Sequence, residues 1–230
     1  MSLLAFDLGG TKLATAVFNE EGKILFREIT PLEKRKGSEV AELISNRIST
    51  LSDVTEITGD EIKSIGISIP GIYFSKLGTV WAPNIHGWDK YPLLEEVKKI
   101  HAAAKKEKQE GQWVKAVIYE ETLRAGLDGD IAKTLAQFED EIQSAPPRVA
   151  ALLKSLEAEQ LYFYLQQQRY RLADRTEVKN DTSRDIGTWT SGRLNKRIRA
   201  LYLGSLMNEA ILKQTDPAFF DAVILKGNVP

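Results

Sequence analysis

The chain has 230 residues, of which 43% are hydrophobic and 27% charged, with a formal net charge of −1, so it can form one large domain or two modest ones with a proper core. That balance gives no electrostatic case for nucleic acid, a membrane surface or a strongly charged partner. Cysteine is absent and there are two histidines, which excludes disulfides, thiolate zinc sites and cysteine nucleophiles and leaves little for a histidine metal centre. No apolar run is long enough to span a bilayer, and the N-terminus lacks a signal peptide's basic-then-apolar pattern, so the expectation is a cytoplasmic protein with neither nucleic acid nor membrane as partner.

Leu3 to Thr30 reads as three antiparallel strands joined by two tight turns, at Gly9-Gly10 and at Asn19 to Lys23. Next, SEVAELISNRISTL puts Val40, Leu43, Ile44, Ile48 and Leu51 on one helical face, with Ser38 as N-cap. IKSIGISIPG is an almost continuous apolar run, the pattern of a strand buried on both faces. GTVWAPNIHGW follows as a turn, a short strand and a polar loop, and YPLLEEVKKI begins another helix. Strands, helix, strand, helix make an α/β domain. Past His101 the texture changes. WVKAVIYEE reads as one more strand, and Thr122 to about Arg175 as helix interrupted at Pro146-Pro147. EVKNDTSRDIGTWTSG reads as a loop, RLNKRIRALYLGSLMNEAILKQ as an amphipathic helix, and FDAVILKGNVP as a closing strand. These shifts suggest two parts, residues 1–115 and a mostly helical 116–230.

The stretch LLAFDLGGTKLATAVF carries the chemistry. Gly9 and Gly10 have two readings: they supply the positive φ of a tight hairpin, or they let backbone N–H groups approach a phosphate with no Cβ in the way. In the second reading Thr11 adds a hydroxyl, Lys12 a positive charge, and Asp7 holds Mg²⁺ through water. The spacing is not that of a Walker A loop, and a strand follows where that loop requires a helix.

Taken together, FDLGGTKLATAVFNEEGKIL resembles the first phosphate loop of the sugar kinases of the actin-like ATPase (ribonuclease H-like) superfamily, and most closely the ROK family. A second stretch, IGISIPGIYFSKLGTVWAPNIHGW, is similar to the same family's Pro-Gly turn, Gly-Thr-Val hairpin and Ala-Pro-Asn loop. The likeness covers Leu3 to Ile100, returns in part from Asn208 to Pro230, and is absent between. It implies an actin-like N-terminal lobe followed by a mostly helical second part. It also implies ATP phosphates on Gly9, Gly10, Thr11 and Lys12, Mg²⁺ at Asp7, and a sugar against Gly71 and Asn84. Read without the resemblance, Asn84 is a loop asparagine and Gly71 a turn residue. His86 is given no role, and Trp81 and Trp88 read as packing.

Phosphoryl transfer to a sugar hydroxyl also needs a carboxylate to take the proton. The family's aspartate would fall near Thr122, where Glu121 is the one candidate, offset by a position. No glycine-rich second phosphate segment is found, and zero cysteines leave no zinc motif, so no zinc is expected. The first expectation is therefore ATP-dependent phosphorylation of a sugar hydroxyl, on a hexose or amino sugar, with catalysis intact or impaired. The second is a non-catalytic sugar- or nucleotide-binding regulator, and the third an incomplete or rearranged chain that folds without acting alone. Sugar and ATP are the expected partners, and a homo-oligomer is left open. Arg193, Lys196, Arg197 and Arg199 read as a solvated helix face, and LYFYLQQQRY as helix core.

Overall fold

The computed structural model describes residues 2–52, 62–125, 131–176, 183, 185–220 and 223. The chain divides into two units, Met1–Glu96 and Val97–Pro230. In the first, β1 (Ser2–Leu8), β2 (Lys12–Asn19) and β3 (Ile24–Pro31) run antiparallel, and β4 (Ile62–Ser68) joins β1 in parallel, for a sheet order of β3-β2-β1-β4. A small hairpin of β5 (Ile72–Phe74) and β6 (Thr79–Trp81) follows.

Alternation explains how the sheet buries itself. Leu4, Phe6 and Leu8 lie opposite Val17, Thr15 and Leu13 on one face. Helix α1 (Ser38–Ser52) covers that face with Val40, Ile44 and Leu51, and Val80, Ala82, Ile85 and Trp88 complete the core. Ser38 is the helix's first residue, and the Glu39 carboxylate reaches back to accept from Lys36 N–H at 3.0 Å, which satisfies a donor at the helix entry. Arg47 ties α1 to β3, donating to Glu28 at 2.9 Å and Thr30 at 3.2 Å. The β2–β3 turn is held by Asn19 Oδ1, which accepts from Glu21 and Lys23 N–H, with Gly22 at φ 78°.

The expectation for β4 is overturned. It is an edge strand, and Ile65 and Ile67 are 40% and 43% exposed rather than buried. Their partners Leu4 and Phe6 lie beneath α1, and Ile62 at the start of β4 packs on the same core, but that cover does not reach Ile65 and Ile67, and among the described residues no strand pairs the outer side of β4.

The second unit is helical. After α2 (Leu93–Lys106), which crosses the boundary, come α3 (Glu110–Ala125), α4 (Ile131–Ser144), α5 (Pro147–Gln167), α6 (Arg169–Ala173), α7 (Ser191–Ser205) and α8 (Glu209–Gln214). The expected strand WVKAVIYEE lies inside α3, and the expected boundary at residue 115 falls there too. Trp113, Val114, Val117 and Glu121 are buried at helical spacing, so the β-branched run serves a helix face. Pro146-Pro147 does separate two helices, and Pro147 opens α5, where its missing N–H costs nothing. Long α5 serves two cores. Val149 and Leu153 pack with Trp113, Val117 and Phe138, while Ala158 and Leu161 pack with Leu172, Leu194 and Ile198.

Three further expectations change. The C-terminal amphipathic helix is two helices, with a turn at Leu206 to Asn208, and Thr190 caps α7 by accepting from Arg193 N–H at 3.2 Å. Of LYFYLQQQRY only Leu161 is fully buried, while Tyr162, Phe163 and Tyr170 are exposed. Trp88 is core, but Trp81 is exposed. The expected closing strand, apart from Phe220 and Val223, and residues 177–182 and 184 of the expected EVKNDTSRDIGTWTSG loop lie outside the described residues.

An exposed apolar strand edge is a site for self-pairing, and Lys63 is the one charge in the β4 sequence. The double substitution Ile65→Lys, Ile67→Lys is expected to raise the concentration at which the chain self-associates, with a thermal midpoint close to wild type. Light scattering against concentration checks it, and an unchanged onset would show that this edge does not drive association.

Candidate functional site

Both sequence motifs belong to the first unit, and the structure brings their tips into contact. The β1–β2 hairpin closes with Gly9 N–H donating to Lys12 O at 2.9 Å, and Leu32 N–H then donates to Thr11 O at 2.8 Å. Neither Gly9 nor Gly10 has a positive φ; among the described residues the glycines that do are Gly22, Gly37, Gly78 and Gly87. The simple hairpin reading of the glycine pair is therefore replaced by a steric one. A Cβ on Gly10 would run into the Asn84 carbonyl oxygen and stand 3.0 Å from the Asn84 Cβ, so Gly10 is where backbone approaches backbone.

Asn84 sits in a loop fixed at both ends. Ala82 and Ile85 are buried on either side of it, Ile85 N–H donates to Ala82 O at 2.9 Å, and Ala82 N–H donates to Trp88 O at 2.8 Å. The loop is pinned to the entry of α1: Gly37 N–H donates to His86 O at 2.8 Å, and Trp88 Nε1–H donates to Gly37 O at 3.0 Å. Trp88 also stacks on Tyr91, with centroids 4.1 Å apart and planes 14° off parallel. Gly71 meets the stem of this loop, where an added Cβ would lie 2.9 Å from Trp81 O and 3.1 Å from Ala82 Cβ. Gly10 thus meets Asn84 itself, and Gly71 meets residues 80–82 at the base of the same loop. Sequence reading missed the Gly37–Trp88 brace; the Gly87-Trp88 pair is its trace, because Gly87 lies at φ 82° with Gly37 N 2.9 Å from its absent Cβ.

The polar groups around this contact face outward. Asp7, Thr11, Lys12 and Asn84 are exposed, and their side chains make no hydrogen bond or ion pair among the described residues. Neither Gly10 nor Thr11 donates its N–H to the protein there. Asp7, one residue before the end of β1, lies between Ala14 and Ser68, whose small side chains leave its carboxylate room. Two unengaged backbone donors, a hydroxyl and an ammonium at one hairpin tip are the donor set an anionic group such as a phosphate requires, so the residues fit that ligand. Among the described residues no group of three or more acidic or histidine side chains is placed to hold a metal. No described helix is long and apolar enough to cross a membrane.

Glu121 belongs to the second unit. It is buried on α3, facing a small cavity of about 140 Å³ shared with Phe138 and Leu156, and does not stand at a strand end. Beside it lies a buried charge network. His101 Nδ1 meets Glu120 Oε1 at 2.7 Å, and its Nε2 lies 3.4 Å from Glu141 Oε2. Glu141 also accepts from Trp113 Nε1–H at 2.8 Å and from Lys105 at 3.0 Å, while Arg124 donates to Glu120 at 3.2 Å. Burial alone lowers the His101 pKa, but hydrogen bonds to Glu120 and Glu141 outweigh it and hold the imidazolium up to about 9. For Glu141, burial raises the pKa, and the bonds from His101, Lys105 and Trp113 bring it down to about 2.

Comparison with known proteins places this lobe. The sequence model of the ROK family matches residues 3–123, just over half of the chain, and the chain belongs to that family. A glucokinase of Thermotoga maritima is 31% identical over 100 residues, 43% of this chain and 30% of that one. An N-acetyl-D-glucosamine kinase of Haemophilus influenzae is 31% identical over 91 residues, 40% of this chain and 29% of that one. The matched stretch is thus about a third or less of the length of these relatives. Among solved structures, a ROK hexokinase from Thermus thermophilus aligns over 90% of this chain and 89% of that one, at 16% identity and a TM-score of 0.34.

Two measurements bear on these arrangements. Gly10→Ala is expected to destabilise the first unit by about 1–3 kcal/mol, because Asn84 must retreat from the new methyl. Paired thermal melts check it, with Gly9→Ala as the mild control, since a Cβ there meets nothing closer than Lys12 O at 3.6 Å. The His101 network gives a pH signature. The raised His101 pKa contributes stability fully below about 6.5, lost as pH climbs through about 9, and the lowered Glu141 pKa contributes stability above about 4.5, lost as pH falls toward about 2. Helical unfolding should need the most denaturant between about pH 4.5 and 6.5, and His101→Gln should flatten the alkaline fall of about 2–3 kcal/mol, read by circular dichroism.

Proposed function

We propose that the first unit is an actin-like, ribonuclease H-like lobe that binds ATP and a sugar in the manner of ROK sugar kinases. The observation that carries this is the Gly10–Asn84 contact: the phosphate-type hairpin and the sugar-type loop pack tip against tip, with their polar groups unengaged. The N–H groups of Gly10 and Thr11, the Thr11 hydroxyl and the Lys12 ammonium would hold the phosphates, with Gly9 giving backbone clearance. Asp7 would hold Mg²⁺ through water. Asn84 would hydrogen-bond a sugar hydroxyl, and Gly71 would keep the loop stem close enough for Asn84 to do so. ATP supplies the transferable phosphoryl group. Glucose and N-acetylglucosamine are the sugars to try first, given the names of the similar kinases.

A second reading has its own support. A proton acceptor is required for transfer to a hydroxyl, and Glu121, the sequence candidate, is buried on a helix rather than presented at a strand end. The lobe would then bind ATP or sugar without turnover and act as a sensor, in a cytoplasmic setting under either reading.

Calorimetry with ATP–Mg²⁺, with and without sugar, followed by a coupled assay for sugar-dependent ADP release, separates the readings. Binding is expected, weakened about tenfold or more by Asp7→Ala or Lys12→Ala. Sugar-dependent turnover that drops about a hundredfold in Asp7→Ala supports the kinase. Binding without turnover supports the sensor, and absence of ATP binding by a folded chain overturns both.

A further inference from the structure

We infer that a cavity in the helical second unit binds a small zwitterion with an apolar body, an α-amino acid being the fitting class. The cavity measures about 560 Å³ and is lined, among the described residues, wholly by the second unit. That is a volume typical of small-molecule sites. The inference stands apart from the ATP and sugar reading, since none of the hairpin or Asn84-loop residues takes part.

The charges of its wall are sorted by element. Every cation, Arg193, Lys196 and Arg197, comes from α7, where positions i, i+3 and i+4 share a face. Every acid comes from the facing side of the cavity: Glu139 and Asp140 from α4 and Glu157 from α5. Three positive and three acidic groups give no net preference for an anion or a cation, but they give the cavity two poles. The sequence reading of the basic cluster as a solvated face is corrected here for Arg193 and Arg197, which are half-buried, while Lys196 and Arg199 are exposed.

Internal pairing leaves a vacancy of each sign. Arg197 is committed to Glu157 at 2.7 Å and to Glu139 at 3.0 Å. Arg193 donates to Ser183 O at 2.6 Å and lies 4.2 Å from the Trp189 ring centroid. Lys196 and Asp140, by contrast, have no hydrogen bond or ion pair among the described residues. Behind them Glu157 is 1% exposed, and its Oε2 is without a partner among the described residues. A buried, half-satisfied carboxyl disfavours the site as it stands, and an ammonium brought to the acidic pole offsets that cost. Burial raises the Glu157 pKa despite Arg197, which agrees with a carboxyl short of positive charge. Trp189, Leu135 and Ala200 supply the apolar part of the wall. A carboxylate at Lys196, an ammonium at Asp140 and a hydrocarbon body between them satisfy all three features together.

Isothermal titration calorimetry on the whole chain tests this with L-phenylalanine and L-leucine, against phenethylamine and 3-phenylpropanoate as analogues carrying one charge each. At least one amino acid is expected to bind saturably, and each single-charge analogue to bind about tenfold or more weaker. Asp140→Asn should weaken the amino acid and the amine while sparing 3-phenylpropanoate, and Lys196→Gln should weaken the amino acid and 3-phenylpropanoate while sparing the amine. Both positions are exposed, so circular dichroism should report the wild-type fold in each variant. Absence of saturable heat with both amino acids would overturn the proposal. So would an analogue that binds as tightly as its parent, or variants that bind the amino acid as wild type does.

Discussion

The first unit depends on one close approach, that of the Gly10 backbone to the backbone of Asn84. Nothing larger than hydrogen fits at Gly10, so the hairpin tip and the loop can share one small region, and each then limits the other's freedom. The contact is useful because both partners are held from behind. The hairpin grows from the central pair of the sheet, β1 and β2, and the loop is braced by Trp88 and Gly37 against the entry of α1. A site built from loops on a rigid scaffold is positioned by the scaffold, and here the scaffold is the α1-covered face of the sheet.

The same sheet is complete on one side and open on the other. From β3 to β1 the α1 face is covered, but at β4 the isoleucines that continue the apolar face emerge into solvent. A parallel strand paired, among the described residues, on one side only is an unusual place for so apolar a sequence. Asp7 is neighbour to this edge, since its β4 partner is Ser68, so anything that covers β4 bears directly on the end of β1 where the proposed ion site lies.

Legibility followed the range of the forces involved. The antiparallel strands, their turns and α1 were readable because alternation, Asn19-type turn chemistry and a five-residue helical face are local patterns. The steric reason for Gly10 was not, since its partner lies far along the chain and a glycine pair reads first as a turn. The apolar run of β4 and the β-branched run of α3 misled for a shared reason: an unbroken apolar stretch says that something is to be buried but does not give the period or the partner. The pairing of Lys105 and Trp113 with Glu141, and of Arg197 with Glu139 and Glu157, depends on helix packing that no single stretch announces.

The second unit treats buried charge in a way that bears on catalysis. A general base must reach its proton and must be free to accept it. Of the two adjacent carboxylates on α3, Glu120 is engaged by His101 and Arg124, and Glu121 is buried on the helix face that carries Trp113 and Val117. The protonated His101 between Glu120 and Glu141 holds those helices by charge, and freeing either carboxylate would leave an uncompensated buried ion. Glu120 is thus committed to that network, and Glu121 lies on a buried helix face. If phosphoryl transfer occurs on the first unit, its proton acceptor must be a group presented toward the exposed tips of Thr11 and Asn84, and Asp7 is the described carboxylate at the end of the same hairpin. A single carboxylate that both held the metal's water and took the hydroxyl proton would set those two roles in competition.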